Sequence, residues 1–341
     1  MVRILLAGAY RYFWYEEVCA KALEKLGYEV VRYRWDRFFR RKAGSLQEKW
    51  LVGPAVVWLN RDLVAYAGAM RPDVIFLWRG TPIWPTTLQT LKGRTRALLI
   101  SYNNDNPFGP SHGSSLWRYF IAGIPAYDRN FVYRYANVAE YRAAGAQHAE
   151  VLLPYYIPEL HKPMALTPIE QVRYGCDLVF AGHYEADGRI EYLRALVKAG
   201  LHVRLYGGKY WRREVLADLA DYFGPVAPVL GEEYVRALTG AKLCLAFLSR
   251  LNRDTYSRRS FEIPACERLM LSERTRDLTK LYKEDEEAVF FSSGDELVEK
   301  AHALLRDNER RNWIGRAGRE RCVTDGHDVV NRMRQFIRAI A

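Results

Sequence analysis

The sequence lacks several short motifs that identify common enzyme classes. No G-x-G-x-x-G follows the first predicted strand, and the chain contains no P-loop lysine motif and no H-E-x-x-H. Those motifs bind dinucleotides, nucleoside triphosphates and catalytic zinc, respectively. Their absence weakens a dehydrogenase interpretation and argues against P-loop NTPases and zinc peptidases.

Cysteine and long apolar runs are also scarce. The five cysteines form no C-x-x-C pair, and their odd number in apolar surroundings predicts reduced, buried thiols rather than disulfides or a zinc site. No segment approaches the roughly 20 apolar residues needed to cross a bilayer. Residues 1–8 are predicted to form a strand rather than a signal peptide. We therefore expect a soluble cytoplasmic protein, with peripheral contact to the inner face of a membrane as a further expectation.

Acidic residues are outnumbered by basic ones. The chain has 51 Lys and Arg against 40 Asp and Glu, a net charge of +11, which calls for an acidic partner: nucleotide, nucleic acid, anionic lipid or acidic glycan. Residues 32–42 combine six basic with four aromatic side chains. This segment is a candidate for contact with an anionic membrane. The alternative is a solvated edge whose aromatic side chains pack inward.

Short apolar runs alternate with helical patterns along the whole chain. In the first half the predicted strands are Ile4–Ala7, Val30–Tyr33, Val74–Trp78, Ala97–Ser101, Phe131–Tyr133 and Glu150–Leu153. In the second half they are Leu178–Ala181, Val203–Tyr206, Ala227–Leu230, Leu243–Phe247, Leu269–Leu271 and Ala288–Phe291. One long helix is predicted over Ser45–Ala69. This alternation predicts an α/β fold with parallel sheets covered on both faces.

Three prolines within residues 153–163 separate the two series, because proline continues neither a helix nor a central strand. A chain of this length is expected to form two domains. We place the first at residues 1–157 and the second at residues 158–328. Each is predicted to be Rossmann-like, with a ligand-binding cleft between them.

The segment Tyr256–Cys266 is the most informative part of the chain. It follows the predicted strand Leu243–Phe247 and places Arg258, Arg259 and Glu262 at the entrance to a helix. Ligands of open parallel sheets bind beyond the carboxyl ends of strands, and guanidinium groups hold phosphate oxygens in pairs. The pattern predicts a diphosphate site in which Glu262 accepts hydrogen bonds from ribose hydroxyls. The alternative is a solvated helix start where one arginine pairs with Glu262.

Several segments resemble GT-B glycosyltransferases of the CgeB-like group, the relatives of spore maturation protein CgeB. They are Leu178–Tyr184 with Arg189, Val203–Gly207, Arg259–Cys266 with the signature R-x-F-E-x-x-A-C, Phe290–Leu297 and Tyr141–Pro154. The similarity covers roughly residues 127–325. The chain departs from the group at Glu267, where glycine usually follows Ala-Cys, and a bulky acid there would limit how closely a donor passes this turn.

The resemblance implies a GT-B fold: two Rossmann-like domains with an interdomain cleft. The C-terminal domain would bind a nucleotide-diphosphate sugar, and the N-terminal domain an acceptor. The final helix, residues 329–341, would cross back to the N-terminal domain. Carried over to this chain, Arg259 and Glu262 contact the diphosphate and ribose, and Gly182 lets the phosphates approach the backbone. Tyr206 and Gly207 form the Tyr-Gly pair that ends the next strand.

The reaction requires positive charge beside the leaving group, because negative charge grows on the departing diphosphate. Arg258, Arg259 and Lys209 are the candidates for this role. Lys209 follows Gly207-Gly208 at a strand end, and its alternative is a turn lysine in solvent. No D-x-D signature is present, so we expect no metal and no other cofactor.

Candidate acid–base residues lie in both halves. Asp105 follows a predicted strand, and an inverting transferase needs a general base such as this carboxylate; alternatively, the Asn and Asp residues of its loop only build turns. Asp254 precedes Glu262 by eight positions, the spacing of the acidic pair in related retaining enzymes. His183 is placed to bind phosphate or the transferred sugar, unless it is structural or solvated. The aromatic loop Ala9–Tyr15 is a candidate acceptor platform, with about half of its rings buried.

Together these features predict a glycosyltransferase that moves a sugar from a nucleotide-diphosphate sugar to a hydroxyl of a glycan, lipid-linked glycan or protein. One alternative is a nucleotide-sugar epimerase on the same scaffold. Another is a basic nucleic-acid-binding module, including a DNA-base glucosyltransferase, although we do not expect nucleic acid as the partner. The nucleotide, the sugar and the stereochemical outcome stay open.

Overall fold

Two parallel sheets form the frame of the protein, one in each of two units. The computed structural model describes residues 1–109 and 114–340. Unit 1 comprises residues 1–153 and 329–341, and unit 2 comprises residues 154–328. The boundary therefore lies four residues before the one predicted at residue 157.

Unit 1 contains six strands in the order β2-β1-β3-β4-β5-β6. The strands are β1 (Arg3–Gly8), β2 (Glu29–Arg34), β3 (Val74–Trp78), β4 (Leu98–Asn103), β5 (Arg129–Val132) and β6 (Ala149–Val151). The helices before the boundary are α1 (Glu16–Lys25), α2 (Lys42–Trp50), α3 (Pro54–Met70), α4 (Pro85–Thr95), α5 (Ser114–Gly123) and α6 (Tyr135–Ala143), with short 3₁₀ turns at Trp35–Phe38 and Ile124–Ala126.

The core of unit 1 lies on both faces of this sheet. All five residues of β3 are buried, as expected for a parallel strand covered by helices on each side. The C-terminal helix, Val329–Ile340, belongs to this unit and packs on α1. Its Phe336 ring lies 4.5 Å from the ring centroid of Phe76 and 5.2 Å from that of Phe131. A fully buried phenylalanine contributes about 2 kcal/mol to stability, so this contact secures the end of the chain.

Unit 2 contains five strands in the order β11-β10-β9-β7-β8. The strands are β7 (Cys176–Ala181), β8 (Val203–Tyr206), β9 (Ala241–Ala246), β10 (Met270–Glu273) and β11 (Val289–Phe291). The helices are α7 (Pro168–Tyr174), α8 (Arg189–Lys198), α9 (Arg213–Leu216), α10 (Ala220–Phe223), α11 (Glu232–Gly240), α12 (Arg259–Ala265), α13 (Leu278–Leu281), α14 (Gly294–Arg306) and α15 (Asn308–Thr324), with 3₁₀ turns at Gly208–Tyr210 and Ala217–Leu219. We number the C-terminal helix α16.

Two local predictions are wrong. The predicted strand Ala227–Leu230 is irregular and largely exposed, because Pro228 lacks the N–H that a sheet ladder needs. The predicted helix Ser45–Ala69 is two helices, α2 and α3. Leu51 adopts a left-handed conformation with φ 54°, and Pro54 opens α3. A left-handed residue ends a helix, and proline is favoured at the first position of the next one.

The strand order fixes where ligands can bind in each unit. In unit 1 the neighbours of β1 are β2 and β3, and in unit 2 the neighbours of β7 are β8 and β9. Loops that leave the carboxyl ends of such strands diverge to opposite sides, and the crevice between them is the usual binding site of an open parallel sheet. The strand order therefore places the expected binding crevices at β1/β3 and at β7/β9.

All five cysteines are buried, and no disulfide links them. Burial raises the pKa of the Cys176 and Cys244 thiols to about 12. Within residues 1–109 and 114–340, no helix is both long and apolar enough to cross a bilayer.

Candidate functional site

The carboxyl end of β7 brings Gly182 and Arg259 together. The Arg259 Nε donates a hydrogen bond to the Ala181 carbonyl oxygen at 2.6 Å, and the guanidinium carbon lies 5.4 Å from the Phe180 ring centroid. A Cβ atom at Gly182 would overlap this guanidinium group. Among the described residues, the two terminal nitrogens of Arg259 have no hydrogen-bond partner. The side chain is thus fixed at one nitrogen and open at the other two. We call this arrangement the arginine clamp.

The end of β8 supports the same turn. The Gly182 amide donates to the Tyr206 carbonyl at 2.8 Å, and the Trp211 indole donates to the Gly182 carbonyl at 2.6 Å. Gly207 adopts a φ of 156°, and a side chain there would collide with the Gly182 carbonyl. Gly207 is therefore required by the close approach of the two strand ends. Lys209 is exposed in the following 3₁₀ turn, with its Nζ 5.7 Å from the Tyr210 ring centroid.

Half-buried Arg258 and buried Glu262 form an ion pair one helical turn apart. Arg258 donates to Glu262 Oε1 from Nε at 3.0 Å and from Nη2 at 2.7 Å. The Tyr234 hydroxyl donates to the other oxygen, Oε2, at 3.1 Å, and the His161 Nε2 lies 3.9 Å from Oε1. Glu262 is therefore held within a protein network, as in the alternative interpretation of this segment. A carboxylate has about four lone-pair sites, so a ribose hydroxyl would share it with these donors.

Burial and charge act in opposite directions at this network. Burial favours the neutral form of Glu262, but the charge of Arg258 acts together with smaller contributions, including those of Arg259 and the Tyr234 hydrogen bond, and the sum lowers the pKa of this carboxyl. Burial lowers the pKa of His161 to about 4. The geometry agrees with a neutral imidazole, because its Nδ1 accepts a hydrogen bond from the Ile157 amide at 3.0 Å. The network thus carries one negative and one positive charge at neutral pH.

A second polar chain lies at the β7/β9 crevice. Exposed His183 contacts Glu185 with 2.9 Å between Nε2 and Oε1. The other Glu185 oxygen accepts a short hydrogen bond from Ser249, in the loop after β9. Buried Arg189 ties down the loop, since it donates to the His183 carbonyl at 2.6 Å and to Asp187 Oδ1 at 2.8 Å. The carboxylate of Glu185 therefore bridges the loops of two neighbouring strands.

Glu185 stays ionised in this position. Burial opposes the charge, but hydrogen bonds from His183 and Ser249, with the charge of Arg189, lower the pKa of Glu185 to about 2. An ionised carboxylate orients the imidazole beside it by accepting a hydrogen bond from the ring. His183 is therefore held in one orientation, as is needed in a residue that acts as a general acid or donates a hydrogen bond to a phosphate.

Asp254 lies in the same β9 loop, two residues beyond Asn252. Its amide donates to the Ser249 carbonyl at 2.8 Å, and its side chain is half-buried. Arg253, the residue before it, has a φ of 56°. This backbone hydrogen bond fixes Asp254 next to Ser249, whose hydroxyl contacts Glu185.

In unit 1, Asp105 pairs with Arg79 across neighbouring strand ends. The Arg79 Nε lies 2.8 Å from Asp105 Oδ2. Arg79 immediately follows β3 with a φ of 56°, and its guanidinium carbon is 5.4 Å from the Trp117 ring centroid. Asn103 and Asn106 accept the amides of Asp105 and Phe108. The asparagines of this loop therefore build turns, whereas the Asp105 carboxylate is directed at a cation.

The first loop of unit 1 mixes buried and exposed aromatics. Tyr10 is buried, Tyr12 and Phe13 are exposed, and the Tyr12 and Trp14 rings stack at 4.9 Å. Buried Glu16 anchors the loop, because its Oε1 accepts the Tyr10 amide at 3.1 Å. Burial raises the pKa of Glu16. The exposed rings give this loop the flat apolar surface that stacks on sugars.

Most of the basic segment 32–42 is paired within the protein. Arg32 binds Glu17 and Glu24, Arg37 binds Asp62, and Arg34 and Arg40 both contact Asp36. The aromatic rings of Tyr33, Trp35 and Phe39 are buried. The segment thus has the inward-packed arrangement that we gave as the alternative to membrane contact.

Several site residues had no assigned role from the sequence. They are Glu185, Ser249, His161, Tyr234, Arg79 and Glu16. The spacing His-x-Glu-x-Asp-x-Arg over residues 183–189, directly after a strand, is a signal that would have found Glu185. His161 and Tyr234 reach Glu262 only through the tertiary fold, so no spacing reveals them. No group of His, Cys, Asp or Glu suited to a metal ion occurs among the described residues.

Comparison with known families and folds agrees with this architecture. A family model described as glycosyl transferase-like matches residues 189–338. No curated protein has significant sequence similarity to the chain. The match includes Arg258, Arg259 and Glu262, but it begins after Gly182.

Solved structures are similar over the full length at low sequence identity. A sucrose-phosphate synthase from Thermosynechococcus elongatus has a TM-score of 0.74 at 13% identity, over 100% of this chain and 99% of its own. HepE from Anabaena, in complex with UDP and glucose, has a TM-score of 0.71 at 12% identity with the same coverage. A Rickettsia africae glycosyltransferase has a TM-score of 0.69 at 11% identity, over 99% and 97% of the two chains. The predicted GT-B fold is confirmed.

Proposed function

We propose that this protein is a glycosyltransferase that moves a sugar from a nucleotide-diphosphate sugar to a hydroxyl of a glycan, a lipid-linked glycan or a protein. The arginine clamp is the observation that carries the proposal. Its guanidinium group is fixed through Nε, and its terminal nitrogens are open beside a glycine at a strand end. A planar fork of this kind suits paired phosphate oxygens. The glycosyl transferase-like family match supports the same reaction.

The donor would bind in unit 2, at the β7/β9 crevice and beside the carboxyl end of β8. Arg259 would hold the diphosphate, and Gly182 and Gly207 would let it approach the backbone. Tyr206 is half-buried at this edge, where its ring would flank the nucleotide. Lys209 is exposed in the adjacent turn and long enough to reach a phosphate.

The network around Glu262 would define the ribose end of the donor site. Arg258 forms an ion pair with Glu262 and helps to keep its carboxylate ionised. A ribose hydroxyl would therefore meet an acceptor that stays negatively charged. His161 and Tyr234 would limit the orientation of the carboxylate. We assign ribose binding to Glu262 on this basis.

In the proposed reaction, the bond between the anomeric carbon and the diphosphate oxygen breaks, and its electron pair stays on the diphosphate. Arg259, Arg258 and Lys209 would stabilise that charge. The acceptor oxygen forms the new bond to the anomeric carbon. Asp105 would take the hydroxyl proton in an inverting reaction. In a retaining reaction Asp254 would contact the transferred sugar, and the hydroxyl proton would pass to an oxygen of the departing diphosphate. His183, oriented by Glu185, would contact the leaving phosphate or the sugar.

A UDP sugar is the first donor to test, because HepE, which shares the fold, was solved with UDP and glucose. We propose that no metal ion takes part, so excess EDTA should leave the transfer rate unchanged. We also propose membership of the CgeB-like group, which rests on the R-x-F-E-x-x-A-C signature at residues 259–266.

The proposal is tested by calorimetric titration with UDP, GDP, dTDP, ADP and CMP and their sugars. We expect one nucleotide to bind and Arg259→Ala to weaken it at least tenfold without changing the unfolding temperature. Arg306→Ala is the matched control, since Arg306 is an exposed arginine of the same unit at the end of α14. Equal affinity in wild type and Arg259→Ala would overturn the clamp.

Incubation with the donor alone distinguishes a glycosyltransferase from a nucleotide-sugar epimerase, the first alternative. An epimerase converts the donor into a new sugar nucleotide, whereas a transferase mostly hydrolyses it slowly. Duplex DNA binding with a steep salt dependence, combined with no nucleotide-sugar affinity, would instead favour a nucleic-acid-binding module.

A further inference from the structure

Exposed apolar side chains of unit 1 gather at the helical hairpin of α2 and α3. Leu46 and Trp50 are four residues apart on α2, Val52 lies in the connection, and Trp58 lies on the second turn of α3. Their exposed fractions are 62%, 57%, 53% and 61%. We call these four residues the hairpin patch. Large side chains exposed together mark an interaction surface, since each would gain by burial.

Unpaired positive charge surrounds the hairpin patch. Arg41, Lys42, Lys49 and Arg61 are exposed, and none of the four forms an ion pair within the described part of the chain. The Lys49 ammonium lies 5.5 Å from the Trp50 ring centroid. Lys42 and Lys49 lie four residues before and three after Leu46, so they share its side of α2.

Negative charge near the patch is neutralised. The only acidic residues between positions 36 and 62 are Asp36, Glu48 and Asp62. Each contacts an arginine: Asp36 contacts Arg40, Glu48 contacts Arg11, and Asp62 contacts Arg37. The surface is therefore net positive around an apolar centre.

We propose that the hairpin patch inserts into the interfacial region of an anionic phospholipid bilayer, with the surrounding Lys and Arg at the headgroups. Tryptophan prefers this region, because its ring is apolar and its N–H is polar. Interfacial binding requires apolar insertion and basic charge together, and each basic residue near the surface adds about fivefold to binding. A nucleic acid would match the charge but would leave the apolar side chains without a partner.

This surface differs from the basic segment 32–42 and shares only Arg41 and Lys42 with it. The other four basic residues of that segment are paired with acids. The inference goes beyond sugar transfer and does not depend on it, because lipid binding and nucleotide binding are measured separately.

The test is co-sedimentation with vesicles of phosphatidylcholine, with and without one third phosphatidylglycerol, at low and high salt. We expect the wild type to bind only the anionic vesicles, and less at high salt. Trp50→Ser/Trp58→Ser should reduce binding at least tenfold. Lys42→Glu/Lys49→Glu should reduce it as strongly, and these exposed lysines can be replaced without altering the core. Trp313→Ser is the control, since Trp313 is an exposed tryptophan of α15 in unit 2.

Three results would overturn the proposal. The first is no binding of the wild type to anionic vesicles. The second is unchanged binding in the tryptophan and lysine variants, with thermal unfolding showing that both are folded. The third is a wild type that self-associates without lipid and dissociates in the tryptophan variant, because the patch would then be an interface between two copies of this chain.

Discussion

Arg259, the first residue of α12, donates its Nε hydrogen to Ala181, the last residue of β7. The bond joins two strand-end segments that lie 78 residues apart in the chain. The bond uses Nε of the guanidinium group. The two terminal nitrogens stay open, and the position of the group is fixed by the bonded Nε. A lysine could not be held in this way, because its single ammonium group would have to serve both as the anchor and as the phosphate ligand. Preorganised charge costs less on binding than charge that must first be ordered.

The first prediction concerns Gly182. In Gly182→Ala the new methyl group overlaps the Arg259 guanidinium, so the clamp must move. We expect nucleotide affinity to fall at least tenfold in calorimetry. Gly68→Ala, in α3 of unit 1, is the control, because a Cβ there meets no atom within 4 Å. That change should leave nucleotide affinity unchanged and add about 1 kcal/mol of stability. Unaltered affinity in Gly182→Ala would place the phosphates elsewhere.

The second prediction concerns the pH dependence of stability at His161. Its folded pKa of about 4 lies below the value near 6.5 of an unfolded chain. As the pH falls below 6.5, the unfolded state therefore takes up a proton that the native state refuses. Between pH 7 and 5 this lowers the free energy of unfolding by about 2 kcal/mol. Urea unfolding of His161→Asn should lack this part of the loss, because an amide oxygen can accept the Ile157 bond without titrating. Parallel pH profiles for both proteins would contradict the assignment.

The third prediction concerns Glu185. Glu185→Gln removes the charge that orients His183, so turnover should fall by roughly tenfold or more while nucleotide affinity stays within a factor of two. His183→Ala should lower turnover at least as much. Because the two residues act together, the double variant should be no slower than His183→Ala alone. Additive losses would indicate that Glu185 acts apart from His183.

The fourth prediction concerns Asp105. If this carboxylate accepts the proton of the acceptor, Asp105→Asn should lower transfer by roughly 10² to 10⁴ and leave donor binding intact. Asp128→Asn is the control, because Asp128 accepts the Leu99 amide at the start of β4, away from the ligand-bearing strand end. That variant should lose stability without a specific loss of transfer. Normal turnover in Asp105→Asn would favour a retaining reaction.

The fifth prediction concerns Glu267, where the CgeB-like resemblance expects glycine. Glu267 has a φ of 59°, a left-handed conformation that costs about 1–2 kcal/mol for a side chain. Replacing Glu267 by glycine removes this strain, but part of the gain is offset because glycine raises the conformational entropy of the unfolded chain. Glu267→Gly should therefore stabilise unit 2 by about 0.5–1 kcal/mol in denaturant unfolding. Glu299→Gly, in the exposed face of α14, should instead destabilise it by about 1 kcal/mol.

The sequence predicted the sheets well because buried parallel strands leave a strong local signal. The runs Val74–Trp78 and Val203–Tyr206 match β3 and β8 residue for residue. The apolar run at Ala227–Leu230 gave the same signal, but Pro228 removes the donor that a ladder needs. Helix α7 was missed, although Thr167 and Glu170 form a capping box that its sequence, T-P-x-E, announces.

Candidate site residues could be predicted only where a charged residue or a glycine lies close in sequence to the end of a predicted strand. Gly182, Arg258, Arg259 and Glu262 are such positions, and the structure joins them in two contacts. Residues that reach the site from other elements, such as Tyr234, carry no local signal because aromatic residues on helices are usually core. The pairing of Arg258 with Glu262 was visible as the alternative interpretation of this segment, but the contacts from Tyr234 and His161 were not, since these residues lie 28 and 101 positions away from Glu262 in the chain.

The burial of every cysteine has a practical consequence for labelling this protein. Buried thiols react slowly with maleimides, because the reagent cannot reach the sulfur atom. Single cysteines introduced at exposed positions, one in each unit, would thus accept fluorescent or spin labels selectively. Such a doubly labelled protein would report, by energy transfer or dipolar spectroscopy, how the separation of the units responds when nucleotide arrives.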